Sequence, residues 1–230
     1  ANRNNYAQDL QISARGFGAR SGFGVRGLRL YTDGIPASMP DGQGQVSHFD
    51  LAAAQRIEVL RGPFSVLYGN SSGGVIAAVS APQREGRFET GLDFGDFGLR
   101  QWRVTAGAPL GDGLEARVGA SGMAWGGFRP HSGAGKTAAH GRLVWQTQRD
   151  RVMLVANVLD QPADDPLGLD RSQFEADPYQ TTSQATTFNT RKLLSQQQFG
   201  ARWVHRWSDG GGLAETALTS YFGDRSVTQW

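Results

Sequence analysis

The sequence has no cysteine, only two lysines and no long apolar run, and each absence excludes a class of protein. Without cysteine there is no disulfide framework, thiolate zinc site or thiol catalysis. No stretch approaches ~18 consecutive apolar residues, so we expect no transmembrane helix. Lys+Arg 23 against Asp+Glu 21 leaves a net charge of +2, so we expect no nucleic-acid partner.

Cofactor and metal motifs are also missing. Residues 22–27 match G-x-G-x-x-G, but no apolar strand precedes them and a strand rather than a helix follows, so turn glycines explain the match better. His48, His131, His140 and His205 lack metal-ligand spacing. We therefore expect no bound cofactor and no resident metal.

The start of the chain shows no secretory leader. Ala1 is not preceded by Met, a basic stretch and an apolar segment. We expect a processed or trimmed piece of a longer protein.

Glycine is abundant, with 32 of 230 residues, about twice the average usage. The character of the sequence changes near Pro82, which predicts one domain over 1–82 and a second over 83–230. The first is expected to be a small α+β unit, with strands over 25–32, 56–60 and 75–80, helices over 51–55 and 64–68, and a turn at Asp33-Gly34.

The second part alternates between apolar and polar residues. In Leu114–Trp125, even positions such as Val118 are apolar or small, whereas odd positions such as Glu115 and Arg117 are largely polar. This period of two predicts β-strands. About seven long strands are expected, over 87–97, 100–110, 114–125, 137–148, 151–160, 196–208 and 213–230.

Long alternating strands fit either a soluble β-sandwich or an outer-membrane β-barrel. Short connections at 111–113, 150 and 208–212 alternate with longer ones at 126–136 and 161–195. Short turns on one side and long loops on the other favour the barrel. The acidic residues crowded between Asp160 and Asp177 are expected to form a solvated loop, or else to attract cations at a pore mouth.

Four motifs in the first part coincide in order and spacing, over about residues 12–82. They are R-G-F at 15–17, V-R-G-L-R-L-Y-T-D-G-I-P at 25–36, R-I-E-V-L-R-G-P at 56–63 with S-V-L-Y-G at 65–69, and G-G-V-I at 73–76. Together they closely resemble the plug domain of TonB-dependent outer-membrane receptors. Ala77 departs from the family's usual asparagine.

The resemblance implies a mainly β fold, with a plug domain followed by antiparallel transmembrane strands of a barrel of about 22 strands. Seven strands cannot close that barrel, and no energy-coupling box is visible near Ala1, so we expect an internal fragment. The family's pattern makes Arg15 and Arg61 plug–barrel lock residues, with Glu58 joining their network. A confined arginine requires an acidic partner to offset its desolvation.

The implied function is active uptake of a scarce nutrient, with a ferric siderophore the commonest cargo, and no enzymatic activity. Iron would enter only within a transported chelate, and haem, cobalamin, copper and sugars share the scaffold. Expected partners are the periplasmic TonB protein, outer-membrane lipid and lipopolysaccharide, and a metal chelate. By position in the pattern, the substrate contacts are Arg20, Met39, Asp41 and Gln43.

Two other functions remain open at this point. One is a soluble β-sandwich binding module, whose apolar faces would pack against each other. The other is an outer-membrane barrel lipid hydrolase, which needs a serine, a histidine and an acid clustered at a rim. Neither accounts for the plug motifs.

Overall fold

The structure is a computed structural model. It describes residues 5–14, 16–19, 21, 24–39, 41–44, 54–62, 68, 73–207 and 214–230. None of the helices in these ranges is long and apolar enough to cross a membrane.

The first part forms a four-stranded sheet in the order β2-β1-β4-β3. The Asp33-Gly34 pair makes a two-residue turn between β1 and β2, with both residues at positive φ, as this hairpin type requires. Strands β1 and β4 are parallel, and the other pairs are antiparallel. The strands are β1 (Leu28–Thr32), β2 (Ile35–Pro36), β3 (Ala54–Arg61) and β4 (Gly74–Ser80).

The second part is a seven-stranded antiparallel meander in which each strand pairs with its neighbour in sequence. We call this sheet the wall. The predicted strand count is confirmed. The strands are β5 (Arg87–Gly95), β6 (Leu99–Gly111), β7 (Leu114–Trp125), β8 (Ala134–Gln146), β9 (Asp150–Asp164), β10 (Arg191–Arg206) and β11 (Glu215–Gln229).

Connection length varies at both ends of the wall, so the predicted separation into short turns and long loops holds only in part. The longest connection joins β9 to β10 and contains two short helices, α1 (Arg171–Ala176) and α2 (Ser183–Phe188). The β8–β9 turn at the opposite end has only three residues. We call the ends the loop end and the turn end.

The outer face of the wall is apolar and exposed. One row across all seven strands follows from the register and consists of Phe88, Ala106, Val118, Gly141, Ala156, Phe199 and Phe222. Phe88 and Phe222 are each 70% exposed. A soluble sandwich would cover this face with a second sheet, so the sandwich hypothesis does not fit the described residues.

Two predictions for the first part change. The helical turn expected over 51–55 is wrong at its end, because Ala54 and Gln55 belong to β3, where Ala54 pairs with Ser80. Residues 51–53 lie outside the described residues. Of the helix expected over 64–68, only Tyr68 is described; it is helical and its ring lies 5.4 Å from that of Tyr31.

Candidate functional site

The β1–β2 hairpin of the first sheet packs against the inner face of the wall. Ile35 is 2% exposed and contacts Val144, Met153 and Val155. A Cβ placed on Gly200 of β10 would lie 2.7 Å from Ile35 Cδ1, so only glycine allows this approach. The hairpin is therefore held on the wall by close apolar packing.

A hydrogen bond between the hairpin and β10 accompanies this apolar packing. Gln198 Nε2 donates to the carbonyl of Pro36 at 2.7 Å. Arg202 lies beside Gly34, with its Nη1 3.1 Å from the position that a Cβ would take. Polar inward side chains thus follow the hairpin along β10.

Above the hairpin, residues 37–39 and 43 and the inner side of β10 and β11 line a cleft of about 250 Å³. Its lining includes Met39 and Gln43 from the first sheet's loop and Gln196 and Arg225 from the wall. Gln196 Oε1 and Arg225 Nε are buried and make no hydrogen bond within the described part of the chain. A buried donor and a buried acceptor that lack partners are suited to a polar ligand.

The loop that forms one side of the cleft is ordered by its own hydrogen bonds. Ser38, 2% exposed, accepts through Oγ from the Leu30 amide at 3.0 Å. Met39 N donates to Gln43 O at 2.8 Å, and Asp41 Oδ1 accepts from Gln43 N at 2.9 Å. The loop is therefore a preformed turn that presents Met39 and Gln43.

Two arginines brace this loop from the first sheet. Arg26 Nη2 donates to Gln43 Oε1 at 3.3 Å, and Arg29 Nη1 donates to the Met39 carbonyl at 3.3 Å. Both lie in the V-R-G-L-R-L motif.

At the loop end of the wall, residues 5–9 dock onto β7–β10. Asp9 forms a buried ion pair with Lys192, one of the two lysines. The Tyr6 ring meets Trp125 edge-on at 5.5 Å, and Ala7 packs on Ala134 and Ala163. This segment, which we call the strap, joins the first unit to the loop end.

At the turn end, an ion pair holds the link between the two units. Glu115 and Arg142 are paired, with side chains 17% and 7% exposed. Glu115 Oε2 accepts from the Gln83 amide at 2.7 Å, and Arg142 Nη1 donates to the Ala81 carbonyl at 3.1 Å. The link around 81–83 is thus fixed to β7 and β8.

The outer face at the turn end carries an Asp–His pair, which bears on the hydrolase hypothesis. Asp150 Oδ1 lies 2.8 Å from His205 Nδ1 and accepts from Trp203 Nε1 at 2.9 Å. The residue opposite His205 in the register is Thr216, whose hydroxyl accepts from Trp207 Nε1 at 2.8 Å. The Asp150–His205 pair therefore lies beside two tryptophans, Trp203 and Trp207, whose hydrogen bonds connect the ends of neighbouring strands.

The three predicted lock residues stay predictions. Arg61 and Glu58 are exposed on β3, at the edge of the first sheet away from β2. Glu58 Oε1 is 2.6 Å from Arg56 Nε. Arg15 lies outside the described residues.

Of the predicted substrate contacts, Met39 and Gln43 line the cleft. Asp41 is exposed and bonds to the Gln43 amide, which shapes the loop. Arg20 lies outside the described residues. These assignments also stay predictions.

Sequence reasoning missed the wall residues of the site. Gln196, Gln198 and Arg225 lie on strands with irregular alternation, and their polar side chains point inward. Polar residues at these inward positions were the feature of the sequence that could have indicated a site on the inner face of the wall.

A family model of the TonB-dependent receptor plug domain matches residues 2–75. The ferric citrate transporter FecA, in its unliganded form, matches with a TM-score of 0.75 and 19% identity, over 98% of this chain and 35% of that one. The siderophore receptor PirA from Pseudomonas aeruginosa matches with a TM-score of 0.60 and 18% identity, over 90% of this chain and 34% of that one. The copper transporter OprC matches with a TM-score of 0.61 and 17% identity, over 86% of this chain and 29% of that one.

These findings agree with the two-part fold described above, a small sheet followed by a meander of long antiparallel strands. Residues 2–75 match the plug domain of TonB-dependent receptors, and the wall is similar in fold to the barrel strands of the solved transporters. The chain spans about a third of the length of the solved structures that it matches.

Proposed function

We propose that this chain is part of a receptor that actively imports a scarce nutrient across the bacterial outer membrane, with a ferric siderophore as its cargo. The cleft between plug residues 37–39 and 43 and the wall, with polar groups on Gln196 and Arg225 that are unpaired among the described residues, carries this proposal. It lies on the loop side of the hairpin that packs on the wall. A cargo in the cleft therefore contacts both the plug and the barrel.

The chemistry of the cleft suits an anionic chelate. Arg225 lines it, and Arg26 and Arg29 brace its loop. Charge-assisted hydrogen bonds to carboxylate or hydroxamate oxygens are stronger than neutral ones. Met39 and Gln43 add an apolar and an amide contact, and Arg20 and Asp41 complete the proposed set.

Release needs energy, because the plug is held on the wall by buried groups. In the proposed mechanism the periplasmic TonB protein pulls on the plug and opens a path beside it, with no covalent chemistry. Arg15, Arg61 and Glu58 would lock the plug to the barrel between transport cycles. The exposed apolar row of the wall would contact outer-membrane lipid and lipopolysaccharide.

Cargo and site can be tested in the complete receptor. Cells would be offered radioactive iron as citrate, hydroxamate or catecholate chelates, with labelled copper, haem and cobalamin in parallel. We expect TonB-dependent uptake of one iron chelate. Uptake that is unchanged when the receptor is deleted would contradict the transport function.

Binding titrations with the imported chelate test the cleft. Arg225→Ala and Arg20→Ala should each weaken binding by roughly 10- to 100-fold, the effect of losing a charge-assisted hydrogen bond. Arg171→Ala is the matched control, since Arg171 is exposed on α1 and pairs with Glu175. Unchanged affinity in both the Arg225 and the Arg20 variant would reject the binding assignment while leaving uptake intact.

A further inference from the structure

The carboxylate of Asp165 joins the plug to the long β9–β10 loop. Asp165 is 2% exposed, although it belongs to the acidic segment expected to be solvated. Its Oδ1 accepts from Asn5 Nδ2 at 3.0 Å and from the Leu167 amide at 3.1 Å. Its Oδ2 accepts from Gln8 Nε2 at 2.8 Å. Two of these three donors come from the strap and one from the loop.

The same residue closes the base of the loop through its backbone. Asp165 N donates to Thr190 O at 2.8 Å, and Thr190 Oγ1 donates to Asp165 O at 2.6 Å. His131 Nε2 lies 2.8 Å from Thr190 O. Asp165 and Thr190 therefore hold the two ends of the 165–190 loop together. His131, from the shorter β7–β8 loop, contacts the same point.

Arg129 of the shorter loop extends this connection. It donates to the carbonyls of Leu167 and Gln180, the latter at 3.2 Å. Burial lowers the pKa of the Arg129 guanidinium, and the nearby Asp165 carboxylate opposes that shift. The two loops thus pack around one buried carboxylate.

A buried carboxylate is stable only while its hydrogen-bond donors are present, and removing its partners costs more than the bonds contribute. If the strap leaves, Asn5 and Gln8 no longer donate to the Asp165 carboxylate. Among the described residues, the carboxylate then has one remaining hydrogen-bond donor, the Leu167 amide. Water must then reach Asp165. Once the strap has left and water solvates the carboxylate, the base of the loop is held by fewer buried contacts.

We propose that Asp165 is a positioning residue that couples the plug to the outer loops. The loop base is closed while the strap is docked, and it loosens when the strap departs. The consequence for transport rests on the proposed function: a plug that moves inward would also free the loops that surround the entrance. The coupling itself requires no cargo.

Hydrogen exchange of the complete receptor, purified without cargo, tests the coupling. Asn5→Ala with Gln8→Ala alters only the strap. We expect the amides of residues 165–190 to exchange at least about tenfold faster, because the strap's two donors to a buried charge are lost. Asp170→Ala is the control, since Asp170 caps α1 in the same loop, and it should affect only residues 171–176. Unchanged exchange at Leu167 and Thr190 in the strap variant would overturn the coupling.

The reverse variant protects the test against a simple folding defect. Asp165→Asn should speed exchange at Ala7 and Gln8, whose amides bond within the strap to Asn5. Protection of β6 and β7 should stay as in the unaltered receptor. Exchange at Ala7 and Gln8 that matches the unaltered protein would also overturn the coupling. Uptake assays are separate, so coupling without transport would refute the proposed function alone.

Discussion

At the scale of single residues, the seat of the plug depends on the absence of a side chain at Gly200. Gly200→Ala places a methyl group 2.7 Å from Ile35 Cδ1 and 2.8 Å from Ile35 Cγ2. We expect a loss of about 1–3 kcal/mol in unfolding free energy, which is typical of an overpacked core. Thermal unfolding of the complete receptor measures it. Gly141→Ala, with open space around the glycine, should behave like the unaltered protein.

A second residue-scale prediction concerns the Glu115–Arg142 pair. Glu115→Gln leaves the buried Arg142 guanidinium without its counter-charge, and we expect a loss of about 3–5 kcal/mol. Asp93→Asn breaks an exposed pair with Arg103, whose side chain is 49% exposed, and should cost at most about 1 kcal/mol. Denaturant titrations compare the two. Equal losses would show that burial of the pair is unimportant.

At the scale of elements, α1 depends on its capping box. Asp170 accepts from the Gln173 amide and from Ser172, and these hydrogen bonds lower the pKa of the Asp170 carboxyl. A lowered pKa means that the cap stabilises α1 above the ordinary carboxyl pKa and is lost as the pH falls through the lowered value.

We therefore expect exchange of the 171–176 amides, corrected for the intrinsic effect of pH, to rise on acidification. Asp170→Ala should remove this dependence and give fast exchange at every pH. Asp170→Asn should keep the cap at low pH, because asparagine also caps helices. A pH response that survives in Asp170→Ala would exclude Asp170 as its cause.

At the scale of the whole molecule, the outer apolar row should match the hydrocarbon layer. Val118 is 58% exposed in the middle of β7. An arginine at the midplane of a membrane barrel costs about 2–4 kcal/mol. Val118→Arg should therefore reduce folding of the complete receptor into lipid vesicles, as measured by gel mobility without heating. Gln148→Arg in the β8–β9 turn is the control and should fold normally.

The regular alternation of the sequence predicted the wall well because successive residues of its strands lie alternately on an apolar outer face and a more polar inner face. Strand ends were less accurate: β10 begins at Arg191 rather than 196, and β8 at Ala134 rather than 137. In β9 and β10, inward residues such as Met153 and Leu194 are apolar and buried, which blurs the period. Helices α1 and α2 have six residues each and are too short for a hydrophobic period to emerge.

The plug motifs located the cleft's loop but not its other side. The contacts that complete the site and the strap join residues such as Asn5 and Asp165, which are 160 positions apart. No local pattern encodes such pairs. The sequence alone places Asp165 among exposed acids, because only the fold shows that donors from the strap surround its carboxylate.

The central claim is that the wall has lipid on one face and the plug on the other. This chain contains no cysteine, so single cysteines can be introduced along β9 and spin-labelled in the complete receptor in bilayers. Labels at 154, 156 and 158 should collide with lipid-dissolved oxygen, whereas labels at 153, 155 and 157 should be shielded from it. Equal accessibility to a water-soluble relaxant at all six positions would contradict the account.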